Sequence, residues 1–182
     1  KIVGTGVLLV LALALQAGVK MYTLKSPDGK VKLEVTAGQG IAYSLFYDGR
    51  LLLKPSRIAL QTDLPEAEHW EKIRITGTKQ RHVSETVQAP FYQVKEFGID
   101  CNELELRLNN GFSLLMRAYN DGMAYRFVAG RKGEMTVVEE RAEFNFADDF
   151  EAYIPYSTNP KDPWNMAFQN FYTKAPLTQY NT

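Results

Sequence analysis

A single cysteine, two histidines and no excess of either charge bound what this 182-residue sequence can do. Cys101 has no partner for an internal disulfide, and together with the scattered His69 and His82 it offers no zinc-type ligand spacing. Thiol chemistry and structural zinc are thereby set aside. The 21 Lys and Arg residues are balanced by 21 Asp and Glu, so no long-range field exists to hold a polyphosphate, and binding through nucleic-acid backbones is not expected. Internal repeats and low-complexity linkers are missing as well. What is present, 45% hydrophobic residues in a chain of this length, fits one globular domain and excludes a disordered, collagenous or disulfide-stapled chain.

One long apolar run does occur, and it stands at the start. Lys1 supplies a positive charge, Val7 to Leu15 (VLLVLALAL) is uninterrupted, and Gln16-Ala17-Gly18 offers the small residues at which a signal peptidase cuts. Residues 1–17 therefore read as a secretory signal peptide. The run falls short of the roughly 20 apolar residues of a spanning helix, which makes a transmembrane anchor the weaker reading. No cysteine follows it to carry a lipid. The expected location is the periplasm or the medium, with no membrane contact after cleavage. The absence of an initiator methionine and the end at Tyr180-Asn181-Thr182 read as the marks of a fragment.

From residue 18 to residue 154 the hydrophobic period is two and turn residues return about every ten positions, the pattern of an all-β protein, an antiparallel sandwich of many short strands. Val31 to Val35 alternates strictly, Ala37-Gly38-Gln39-Gly40 turns the chain into a strand from Ile41 to Tyr47, and Asp48-Gly49 is the next tight turn. Asn102 to Leu108, Phe112 to Tyr119 and Met123 to Val128 are joined by Asn109-Asn110-Gly111 and Asn120-Asp121-Gly122, a three-stranded meander placed at the centre of the sandwich. Gly122 is expected to supply a positive φ. A longer strand is expected from Met135 to Phe146 and a short one from Glu151 to Ile154. Helix is expected at most as one turn within Leu64 to Lys72.

Composition shifts near Asp148. Residues 155–182 combine Pro155, Pro160, Pro163 and Pro176 with Tyr156, Trp164, Phe168, Phe171 and Tyr172. Proline removes backbone donors, so this segment is an ordered loop, a linker or a surface that meets a partner, and not a central strand.

Four blocks of the sequence, in order, resemble the N-terminal domain of glycoside hydrolase family 97. They are Ser26-Pro27-Asp28-Gly29, Leu53-Lys54-Pro55-Ser56-Arg57-Ile58, Cys101-Asn102-Glu103-Leu104, and the run from Met116 to Phe127 (MRAYNDGMAYRF). The tail from Ile154 through Thr173 extends the likeness, while residues 61–98 match poorly. The resemblance implies a large super-sandwich preceding a (β/α)8 barrel. It also implies calcium-dependent, exo-acting hydrolysis of α-glucosides or α-galactosides by an exported enzyme whose catalytic carboxylates lie in the barrel, beyond residue 182.

The residues themselves offer no catalytic pair. A glycosidase needs two carboxyl groups about 5 to 9.5 Å apart on one bond. Glu139-Glu140 and Asp148-Asp149 are adjacent, and neighbours on a strand point to opposite faces. Glu103 and Glu105 share a face, read as the wet one, and Arg117 and Arg126 read as cross-strand partners of acidic residues. Trp164 is the candidate substrate platform, by stacking on a sugar ring, against the alternative that it packs with Phe168, Phe171 and Tyr172. The resemblance gives Gln169 a role: it stands where the family's sandwich donates a glutamate to the active-site calcium, just ahead of Tyr172-Thr173. An amide oxygen is an acceptable calcium ligand but brings no charge.

Two function classes stand. One is the N-terminal sandwich of an exported glycoside hydrolase, inactive without its following barrel and acting with it on α-linked oligosaccharides. The other is a free-standing carbohydrate-binding or adhesive β-sandwich.

Overall fold

The computed structural model describes residues 19–64, 70–130, 132–156, 161 and 170–179. Residues 1–17, Trp164 and Gln169 lie outside the described residues. The chain divides into two units, one through Asn145 and one from Phe146 onward.

The first unit carries β1 (Lys20–Lys25), β2 (Val31–Ala37), β3 (Ile41–Tyr47), β4 (Arg50–Thr62), β5 (Ile75–Gln88), β6 (Glu96–Leu108), β7 (Phe112–Tyr119), β8 (Gly122–Ala129) and β9 (Val137–Ala142). The second carries β10 (Glu151–Ile154) and β11 (Thr173–Pro176). One sheet of the first unit runs β1-β2-β3-β4-β9 and the other β5-β6-β7-β8, with antiparallel pairing throughout. Among the described residues there is no α-helix, so the all-β expectation holds.

The period of two sorts the side chains. Val31, Leu33 and Val35 of β2 and Ile41 and Tyr43 of β3 turn inward from one sheet. Leu104, Leu106 and Leu108 of β6 and Phe112, Leu114 and Met116 of β7 meet them from the other, in one continuous core. At about 25 cal/mol per Å² of apolar surface removed from water, these inward rows supply most of what holds the two sheets together. Trp70 begins a single 3-10 turn, Trp70–Lys72, and closes over this core: its indole N–H donates to the Leu60 carbonyl at 2.6 Å and its ring stands edge-on to Phe127. That turn is the described part of the expected helical stretch.

Two of the three Asp-Gly pairs, those in the hairpin turns at Asp48-Gly49 and Asp121-Gly122, fold differently. Asp48 and Gly49 both take positive φ, +48° and +79°, and Tyr47 pairs with Arg50 across them, the two-residue turn whose twist matches a hairpin. At the meander turn, Tyr119 pairs directly with Gly122, so the loop is Asn120-Asp121 alone and Gly122 is the first residue of β8 with no positive φ. The expectation for Gly122 is corrected accordingly. Asn120 faces another task, accepting the Asp28 N–H at 3.0 Å and so tying the β1–β2 turn to the opposite sheet.

Three further departures have physical causes. Strand β1 is an addition to the expected strands: only Tyr22, half-buried, and Leu24, buried, turn inward from Lys20–Lys25, too short a row to stand out in sequence, and pairing along β2 forms it. The expected Met135 to Phe146 strand is shortened to β9, starting beside a register shift at Gln61/Thr62 and ending at Ala142, ahead of the place where its neighbour β4 has Pro55, which offers no N–H to the ladder. There Ser56 Oγ accepts the Asn145 N–H, and Asn145 Nδ2 donates to the Pro55 carbonyl. Finally, β6 begins at Glu96 and not at Asn102, since β5 pairs with it as far as Gln88 opposite Glu96.

Candidate functional site

In the second unit, strands β10 and β11 pair Ile154 with Thr173 and Glu151 with Pro176. This pairing sets the two ends of residues 155–172, the stretch that contains Trp164 and Gln169, side by side. Asp149 fixes the base of this hairpin, accepting the Thr178 N–H at 2.9 Å and the Thr178 hydroxyl at 2.8 Å. The backbone bond from Thr178, then that from its hydroxyl, hold the Asp149 carboxyl below the ordinary carboxylate range. Lys174 pairs with Glu151 at 2.9 Å, and Asn170 Nδ2 donates to the Tyr156 carbonyl at 2.7 Å. Around this frame Tyr153, Phe171 and Tyr172 are exposed, Phe171 almost completely. The local folding follows from the sequence: four alternating residues, a proline to end the strand, and a return strand that ends on another proline.

Among the carboxylates weighed above, Glu140 and Glu103, like Asp149, have structural partners. Glu140 accepts the Tyr125 hydroxyl at 3.0 Å, and burial followed by that carboxylate pushes the phenol far up. Glu103 departs from expectation. Although it points away from the core, only 4% of its side chain is exposed, because Arg81 of β5 and Arg117 of β7 lie across it from both neighbouring strands. Arg81 Nε donates to one carboxylate oxygen at 2.7 Å and Arg117 Nε to the other at 2.8 Å. Burial would raise the Glu103 pKa, but the two guanidinium donors outweigh it and hold the group below its ordinary value. A general acid needs the opposite shift, so this ladder is structural. The cross-strand reading of Arg117 is met. Arg126 has no such acidic partner among the described residues; it shares a cross-strand row with Leu115.

An open hollow of about 500 Å³ between β1 and the β5–β6 pair is also assembled from structural groups. Gln80 Nε2 donates to the Thr23 carbonyl and Asn102 Nδ2 to the Lys25 carbonyl, clamping β1 onto the opposite sheet. Among the described residues no three His, Cys, Asp or Glu side chains gather as a metal site. Calcium also accepts carbonyl and amide oxygens, and Gln169, the residue the resemblance assigns to it, lies outside the described residues.

The sequence matches the family described as "Glycosyl-hydrolase 97 N-terminal" over residues 24–182, from the end of β1 through the segment after the sandwich. The chain belongs to glycoside hydrolase family 97. A retaining α-galactosidase of Bacteroides thetaiotaomicron is 37% identical over 175 residues, 93% of this chain and 26% of that protein. A probable retaining α-galactosidase of Streptomyces bingchenggensis is 25% identical over 158 residues, 85% of this chain and 24% of that protein. The chain thus spans about a quarter of the length of these relatives. Among solved structures, a glycoside hydrolase family 97 enzyme of Pseudoalteromonas sp. strain K8 in complex with panose shares the fold at a TM-score of 0.70 and 18% identity, covering 87% of this chain and 25% of that one. A β-arabinopyranosidase does so at 0.68 and 20%, covering 84% of this chain and 26% of that one. These likenesses identify the sandwich as the N-terminal domain of a family 97 enzyme.

Proposed function

We propose that the full-length protein is a retaining α-galactosidase and that this chain is its N-terminal sandwich, closing the active site of a (β/α)8 barrel that follows. The observation that carries the reading is the 37% identity with a retaining α-galactosidase over 93% of the chain. The fold alone would not choose the sugar, since the same sandwich belongs to a structure holding panose and to a β-arabinopyranosidase. Retention requires a nucleophilic carboxylate about 5 to 5.5 Å from the acid, and this reading gives both to the part beyond residue 182; of the carboxylates weighed in the sequence, Glu103, Glu140 and Asp149 are held by Arg, Tyr and Thr.

Within this reading, Gln169 approaches a calcium ion through its amide oxygen, bound more weakly than by a glutamate, and Trp164 stacks on the sugar. When bound, calcium would polarise the substrate or order the carboxylates around it. Residues 1–17 direct export to the periplasm or the medium. Support for these finer assignments is the family membership together with the motif positions.

The test is hydrolysis of nitrophenyl α-galactoside and α-glucoside by the full-length enzyme, with the anomer of the first sugar released read by NMR. Preference for the galactoside with α-galactose appearing first is expected. Preference for the glucoside, or β-anomer first, overturns the reading.

A further inference from the structure

The β5–β6 hairpin outruns the sandwich. Its strands stay paired to Gln88 opposite Glu96, well past the last buried residues, Val83 and Cys101. Its loop is ordered by its own bonds: the Ala89 N–H donates to the Lys95 carbonyl at 2.7 Å, the Tyr92 N–H to the Ala89 carbonyl at 3.0 Å, and Lys95 Nζ to the Pro90 carbonyl at 2.6 Å. These bonds hold the apolar side chains outward. Phe91 is 98% exposed and Tyr92 69%, flanked by Val87, Val94 and Phe97, all exposed. From Thr86 to Val94 (TVQAPFYQV) no residue carries a charge.

A soluble surface rarely leaves such a cluster wet, and depletion of charge with enrichment of aromatics is the composition of an interface centre. We propose that this hairpin tip docks into an apolar groove on the catalytic part of the same polypeptide, the part that makes relatives about four times longer than this chain. The inference rests on the reading of this chain as the N-terminal domain of a longer enzyme. Area decides between that occupant and a second copy of the chain. A tip of three aromatic and two smaller side chains, of which only Phe91 is almost wholly exposed, offers on the order of 600 Å². A stable dimer needs about 800 Å² from each partner. A covalently tethered domain, present at millimolar effective concentration, is held by much less.

Hydroxyl-radical footprinting of the full-length protein reads the two rings directly, without any substitution. Phe91 and Tyr92 should be modified at least about tenfold more slowly in the native protein than in urea, a preference of about 1.4 kcal/mol for the covered form. Replacing both (Phe91→Ser with Tyr92→Ser) should raise the native-state modification of Val94 and Phe97 by a similar factor while α-galactoside hydrolysis identifies the protein as assembled. Rings that react as fast as in urea overturn the docking, and protection lost on dilution to nanomolar protein assigns the tip to a second copy and overturns it too. Hydrolysis with unprotected rings sinks the docking alone, whereas protected rings without α-galactoside hydrolysis sink only the activity. A reading frame that stops at residue 182 overturns both.

Discussion

The two ends of strand β6 obey different rules. From Cys101 to Leu108 five of eight residues are buried, Leu104, Leu106 and Leu108 toward the core and Glu103 on the other face, whereas from Glu96 to Asp100 none is, although pairing with β5 continues unbroken along both parts. Main-chain hydrogen bonds extend a hairpin beyond a core once the core has registered it, since the register is set wherever one face is buried. The net worth of each added bond is only about 1 kcal/mol, so the extension persists with little packing and leaves its side chains free for another surface.

Truncation at the buried end should have the largest effect. Leu106 is fully buried at the middle of the inward row, and Leu106→Ala should lower stability by about 2 to 5 kcal/mol through lost transfer energy and the cavity left behind. Phe97→Ala, at the exposed end of the same strand, should stay within about 0.5 kcal/mol when the sandwich is measured alone. Urea midpoints of the two variants test the contrast. Equal losses would mean that Phe97 is packed within the sandwich and that the hairpin is not an outreaching arm.

Glu103 sharpens the comparison from the other face of the same buried end. Glu103→Gln leaves Arg117, 22% exposed, beside an uncharged amide, and the expected loss is about 2 to 3 kcal/mol, below the 3 to 5 of a fully enclosed pair because Arg81 remains half in water. The pH dependence has a definite sign. The folded-state pKa of Glu103 lies below the ordinary 4.5, so its contribution is complete above that value and is lost as pH falls through the folded pKa. Urea midpoints taken from pH 6 down to pH 3 should therefore fall more steeply in the wild type than in Glu103→Gln. Parallel curves would place the charge of Glu103 outside the stability of the fold.

These contrasts also mark how far the sequence could be read. The meander and its inward leucines were legible, because alternation and Gly-containing turns are local signals and the core rows follow from them. Burial of Glu103 was not, since it depends on Arg81, twenty-two positions upstream, arriving in register across β5. Strand β1 has only Tyr22 and Leu24 as an inward row and forms by pairing with β2. At the candidate site, Gln169 and Trp164 came from family likeness and lie outside the described residues, while the frame that brackets them, β10 paired with β11, was legible only in its first strand. Sequence separation explains the difference: Ile154 meets Thr173 across a long proline-rich stretch that carries no periodic signal.

The smallest effect separates the Asp-Gly turns at Gly49 and Gly122, which look alike in sequence. An alanine at Gly49 must hold φ near +79°, where the side chain costs about 1 to 2 kcal/mol. Reduced freedom in the unfolded chain returns about 0.4 to 1 of that, so Gly49→Ala should destabilise by about 1 kcal/mol. At Gly122 the backbone has no positive φ, and a Cβ built there meets nothing within 4 Å. Only the unfolded-state term remains, so Gly122→Ala should be neutral or stabilise by up to about 0.5 kcal/mol. Thermal midpoints of the two variants, measured side by side, should move in opposite directions or leave Gly122→Ala unchanged. A loss at Gly122 as large as that at Gly49 would mean that the meander turn takes the same left-handed conformation as the first hairpin, and that Tyr119 does not pair with Gly122.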